Sequence, residues 1–100
     1  MSENPLEKLK VLDSKLFEFS SLIRDTGFTT EALPEKTKIL IALAVDTAEK
    51  AEGGITTLIQ LALKAGATKK EIAETIMIAA YITGVGCLYS VAHALENVQF

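Results

Sequence analysis

Seven consecutive apolar residues, Ile39-Leu40-Ile41-Ala42-Leu43-Ala44-Val45, lie at the heart of this chain. A run that continuous cannot be one stripe of a surface helix, whose apolar positions recur every three or four residues. It has to be covered on more than one side. Its surroundings read as helix: Pro34 opens the segment, with a fixed φ and a missing donor that the first turn does not use. Charges return at Asp46, Glu49, Lys50 and Glu52. Gly53-Gly54 interrupts the pattern, and a second apolar segment, Ile55 to Leu63, runs on to a helix stop at Gly66.

One hundred residues are enough for one domain, and a single domain spanning 1–100 is the expectation. A chain of this size buries only a modest share of its surface by itself. Yet 49% of its residues are hydrophobic. Association with further copies would cover the surplus, so a homo-oligomer with helices packed between subunits is expected. The net charge of −3 is spread along the sequence, with no basic cluster to point to nucleic acid. Cys87 is the only cysteine, which excludes an intrachain disulfide and any C-x-x-C redox motif. The N-terminal MSENPLEKLK has no apolar core of the signal-peptide kind, and a cytoplasmic location is the expectation. Thr75 to Leu95 lacks Asp, Glu, Lys and Arg, but Thr83, Gly84, Gly86, Ser90 and His93 interrupt it. It reads as two buried helices bent at Gly84-Val85-Gly86, not as a membrane span.

The pattern predicts an all-α domain of about five helices. The first covers Met1 to Arg24, with Asn4 as cap, Pro5 in the first turn and Glu7 answering the cap. Leu6, Leu9, Leu12, Leu16, Phe19 and Ile23 would share one face, and Asp25-Thr26-Gly27 would end it. Phe28 to Ala32 is a connector. The second helix covers Pro34 to Ala51, with Asp46 and Lys50 four apart and able to pair on a wet face. The third covers Gly54 to Ala65. Thr68-Lys69-Lys70-Glu71 is a capping box that starts the fourth, which carries Ile72, Ile76, Met77, Ala79, Ala80 and Tyr81. The fifth runs from Cys87 to Asn97. Met77, Tyr81 and Tyr89 read as core residues.

The words LPEKTK, LIALAV, LALKAGATKKEIAETI, AAYITG and AHALE, in that order, resemble the carboxymuconolactone decarboxylase and alkyl hydroperoxidase D-like family. The resemblance covers the last two thirds of the chain and implies assembly into trimers or hexamers. It also implies where the chemistry of thiol-active members would sit. Their C-x-x-C-x-x-x-H word opens the helix that ends at Ala65-Gly66, and a glutamate lies one helix earlier. A cysteine at a helix N-terminus is favoured as thiolate by the dipole. Its partner cysteine closes a disulfide, and the histidine and glutamate relay protons.

Carried over position by position, the cysteine pair falls on Ala51 and Gly54, the histidine on Leu58 and the glutamate on Ile39. No thiol cycle is expected there. The old pocket, made more apolar by Ile39 and Leu58, could still take a small molecule. Glu52, His93 and Cys87 are the remaining candidate residues. A carboxylate at Glu52 suits a helix start, as a solvated charge or as the base of a lactone decarboxylase in which Lys50, or His93 from another chain, holds the substrate carboxylate. The family's peroxidase activity and a plain helical interaction module are the other readings. Cys87, with no Lys, Arg or His within four residues, reads as a small buried hydrophobe. His93, six residues on and on another helical face, reads as a surface or interface residue. Thr56 and Thr57 are expected to satisfy backbone groups. One Cys and one His cannot close a metal site, and no metal or cofactor is expected.

Overall fold

The computed structural model describes residues 5–29 and 31–100. Among these there is no strand, and the chain is all-α. It divides into two compact units, Met1–Ala32 and Leu33–Phe100.

In the first unit a 3-10 helix, Pro5–Val11, precedes α1, Ser14–Thr29. The single helix expected up to Arg24 is therefore broken at Leu12-Asp13. Asp13 explains the break: its side chain accepts the Lys15 N–H at 2.8 Å, which is N-cap geometry for a new helix. Asp25-Thr26-Gly27 does not stop α1, which runs two residues further, to Thr29. The cap assigned to Asn4 lies outside the described residues. No residue of the 3-10 helix or of α1 is buried.

The second unit holds α2 (Glu35–Ala48), α3 (Glu52–Lys64), α4 (Lys69–Thr83) and α5 (Cys87–Leu95). Helix α2 packs on α3, α4 and α5, which buries Ile39 and Leu43, but Ile41 and Val45 of its apolar run stay 50% and 52% exposed. Ile39 and Leu43 of α2, Ile55, Ile59 and Ala62 of α3, Ile72 and Ile76 of α4, and Val91 and Ala94 of α5 form one core. Their spacing of three or four residues gives each helix one inward stripe. Each fully buried Leu or Ile contributes about 1.5–3 kcal/mol by leaving water.

The helix ends are closed by their own chemistry. Thr68 and Glu71 form the expected box: the Glu71 N–H donates to Thr68 Oγ1 at 3.0 Å, and the Thr68 N–H donates to Glu71 Oε1 at 2.9 Å. Lys36 Nζ reaches Glu71 Oε2 at 3.1 Å, joining the starts of α2 and α4. The Thr68 backbone N–H, and after it Lys36, hold the Glu71 carboxyl below the usual range. Helix α3 ends in a Schellman turn: the Gly66 N–H donates to the Leu63 carbonyl and the Ala67 N–H to the Ala62 carbonyl. Gly66, at φ +94°, supplies the left-handed residue this turn needs. Thr56 Oγ1 donates to the Ala94 carbonyl at 2.8 Å, tying α3 to the last turn of α5, where the Asn97 N–H shares the same acceptor.

The late segment bends where expected, with Gly84 at φ +97° capping α4. No described helix is long and apolar enough to cross a membrane. Three assignments need correction. Met77, Tyr81 and Tyr89 are not core residues: Tyr81 is 87% exposed, Tyr89 77% and Met77 63%. Helix α4 buries Ile72, Ile76, Ala79 and Ala80, one stripe only, and its second apolar stripe faces outward.

Candidate functional site

The start of α3 is built by the way α2 stops. Helix α2 closes in a second Schellman turn, in which the Lys50 N–H donates to the Thr47 carbonyl and the Ala51 N–H to the Asp46 carbonyl. The residue that must turn left-handed is Lys50, at φ +59°, a conformation that costs a non-glycine residue about 1–2 kcal/mol. Ala51 follows as the N-cap of α3 and offers no side-chain cap. Helix α3 begins at Glu52 rather than Gly54, so Glu52 lies inside its first turn. The positive end of the α3 dipole therefore has Glu52 in its first turn and no side-chain cap.

Two carboxylates gather there. Asp46 lies against Gly54: a Cβ at position 54 would run into its carboxylate, with the Asp46 Cγ 2.9 Å away. The Asp46–Lys50 pair expected on a wet face does not form, because the left-handed turn carries Lys50 elsewhere. Its Nζ would lie 3.6 Å from a Cβ at Gly86, at the start of α5. Partial burial raises the Asp46 carboxyl above its usual range, and repulsion from Glu49 adds to this. Glu52 Oε2 and His93 Nδ1 approach to 3.4 Å across 41 residues of sequence. Both side chains are at least half exposed, so the pair adds little to stability, about 0–1 kcal/mol. What it does is fix an imidazole beside a carboxylate, an arrangement able to hold or pass a proton.

Of the three sequence candidates, Glu52 and His93 are brought together and Cys87 is not part of that contact. Cys87 is 1% exposed. Its Sγ donates to the Gly84 carbonyl at 3.4 Å, and Thr83 Oγ1 lies 4.0 Å away. Ile39 is buried in the core, and Leu58 packs against that core. Thr47, one turn before Ala51, is fully buried with no partner for its hydroxyl. Among the described residues no three His, Cys, Asp or Glu side chains group to hold a metal ion.

An open apolar groove of about 240 Å³ lies between α2 and α4, lined by Thr37, Leu40, Ile41, Ala44, Thr75 and Ile78. It is not the α3 start. Asp46 is two residues beyond Ala44, about 200° round the helix.

The model of the carboxymuconolactone decarboxylase family matches residues 15–97, nearly the whole of this all-α chain. The chain belongs to that family. Among solved structures, this carboxymuconolactone decarboxylase family chain is similar to apo-lpg0406, a family protein from Legionella pneumophila. The two are 34% identical with a TM-score of 0.80, over 92% of this chain and 82% of that one. No curated protein matches.

In this family member the α3 start is furnished with Asp46, Lys50, Glu52 and His93. Sequence reading found three of the four and missed Asp46. Asp46 was read as a surface charge because helical spacing gives the side of a helix but not the approach of the next one. Gly54 carried the only available signal: a glycine inside a helix marks a close approach.

Proposed function

We propose that this chain is a carboxymuconolactone decarboxylase-family protein that works without a thiol cycle, assembles with copies of itself, and binds a small molecule at the α3 start. One observation carries the reading: the Asp46 carboxylate fills the space of a side chain at position 54. The resemblance assigns that position to a cysteine. The only thiol is enclosed at Cys87, where it is hydrogen-bonded to the Gly84 carbonyl and neighbours the Thr83 hydroxyl. A thiolate needs an electropositive and partly open setting. The Lys50 ammonium and the His93 imidazole can both donate hydrogen bonds, which suits a carboxylate-bearing ligand better than an apolar one. Self-association is supported by the outward apolar stripe of Met77, Ile78, Tyr81 and Ile82.

Titration of the native protein with a thiol reagent tests this reading. Cys87 should react only after denaturant is added. Rapid reaction of native protein, at the rate of a free surface thiol, would remove the ground for it.

A second reading has an observation of its own. The Asp46 carboxyl, raised by burial, can carry a proton in lactone decarboxylation, with Glu52 paired to His93 at the start of the same α3 helix. Asp46 is then the acid and Lys50 or His93 holds the substrate carboxylate. Turnover of carboxymuconolactone that is lost in Asp46→Asn and Glu52→Gln would support it. Turnover indifferent to both substitutions would sink it.

A further inference from the structure

Each unit of the chain carries exposed apolar residues. Helix α1 presents Leu16, Phe19, Leu22 and Ile23, with Leu12 just before it, all exposed. Leu16, Phe19 and Ile23 are spaced three and four, which is one helical stripe. A 16-residue helix with no buried residue has little to stabilise it, since isolated helices of that length are marginal in water. In the second unit Ile78 lines the α2–α4 groove, and α4 also exposes Met77, Tyr81 and Ile82, the four being 63–87% exposed.

We propose that α1 of one copy lies in the α2–α4 groove of a second copy, with Phe19 seated near Ile78 and the α1 stripe running along α4. The lengths agree: 16 residues of α1 span about 24 Å, and 15 of α4 about 22 Å. The area also points to a second copy. The α4 stripe exposes on the order of 500 Å², a patch of the size that marks an interaction surface. One such contact falls short of the roughly 800 Å² per partner of a stable interface. A two-fold pair makes the contact twice, because each chain owns both the helix and the groove. Reciprocal exchange thus covers both apolar surfaces and reaches the required area with no other protein. This inference rests on the proposed self-association and names the surfaces that carry it.

Two singly substituted full-length chains, Phe19→Cys and Ile78→Cys, test it. They carry different tags, are mixed at a concentration where the protein is assembled, and are oxidised. The expected product is a disulfide-linked species bearing both tags. Both positions are exposed, so the substitutions leave folding intact, and circular dichroism with solution mass checks this. A doubly substituted Phe19→Cys/Ile78→Cys chain that closes its bond only within itself would overturn the exchange. An assembled protein giving no mixed-tag product would also overturn it while leaving self-association standing. A solution mass of one chain would remove both. As an independent measure, Phe19→Glu should raise the dissociation constant of the assembly at least about tenfold. An unchanged constant would count against the exchange.

Discussion

The carboxylate of Asp46 occupies the space beside Gly54 that a side chain at position 54 would enter. The two residues belong to consecutive helices, α2 and α3, and the turn between them is tight because Lys50 adopts a left-handed conformation. A missing side chain on one helix and a partly desolvated charge on the other are therefore one feature.

Substituting Gly54→Ala should push the Asp46 carboxylate outward. The obstacle is the far end of a flexible side chain, so the helix pair should survive. Relieved of burial, which is the main cause of its raised value, the Asp46 carboxyl should titrate closer to the ordinary carboxylate range. Carboxyl carbon shifts followed by NMR against pH would show this. An unchanged Asp46 titration would mean that the close approach to Gly54 does not govern it.

The same group sets a pH dependence with a definite sign. Folded Asp46 binds its proton more tightly than the unfolded chain does. Its unfavourable effect on stability is absent below the unfolded value of 3.8, grows as pH rises through the raised folded value, and is constant above that. Asp46→Asn should match the parent in melting temperature at low pH and exceed it at neutral pH. Melts across that range decide it, and a gap that closes as pH rises would have the wrong sign.

Lys50 is strained where glycine would not be. Lys50→Gly removes the left-handed cost but frees the unfolded backbone, so the net gain should be no more than about 1 kcal/mol. Urea unfolding at neutral pH measures it. A loss exceeding about 1 kcal/mol would show that the Lys50 side chain beside Gly86 stabilises the turn more than its backbone strains it.

Thr47 keeps a hydroxyl in the core with no partner. A valine of nearly the same shape removes the unsatisfied group, so Thr47→Val should be neutral or stabilising by about 1–2 kcal/mol. Destabilisation in the same unfolding assay would reveal a partner for the hydroxyl.

The sequence made some of this plain and hid the rest for physical reasons. Thr68 and Glu71 satisfy each other within four residues, so their box was readable before any packing was known. Gly84 and the α4–α5 bend were readable for the same reason, since a left-handed cap is local. Asp13 was missed although its signal is also local: an aspartate two residues before a helical N–H is an ordinary cap, hidden by the leucine spacing that runs through it. Met77, Tyr81 and Tyr89 were misplaced because periodicity shows that a face is apolar, not whether the same chain covers it. Glu52 and His93 meet across 41 residues, and nothing local in either segment announces the other.

Hydroperoxide consumption driven by a dithiol reductant tests the absence of a thiol cycle most directly, with the full chain compared against Cys87→Ala. The expected result is one rate for both proteins, equal to that of the reductant alone. Saturable consumption well above that rate, lost in Cys87→Ala, would show that the enclosed thiol does the work that Ala51 and Gly54 have no atoms to do.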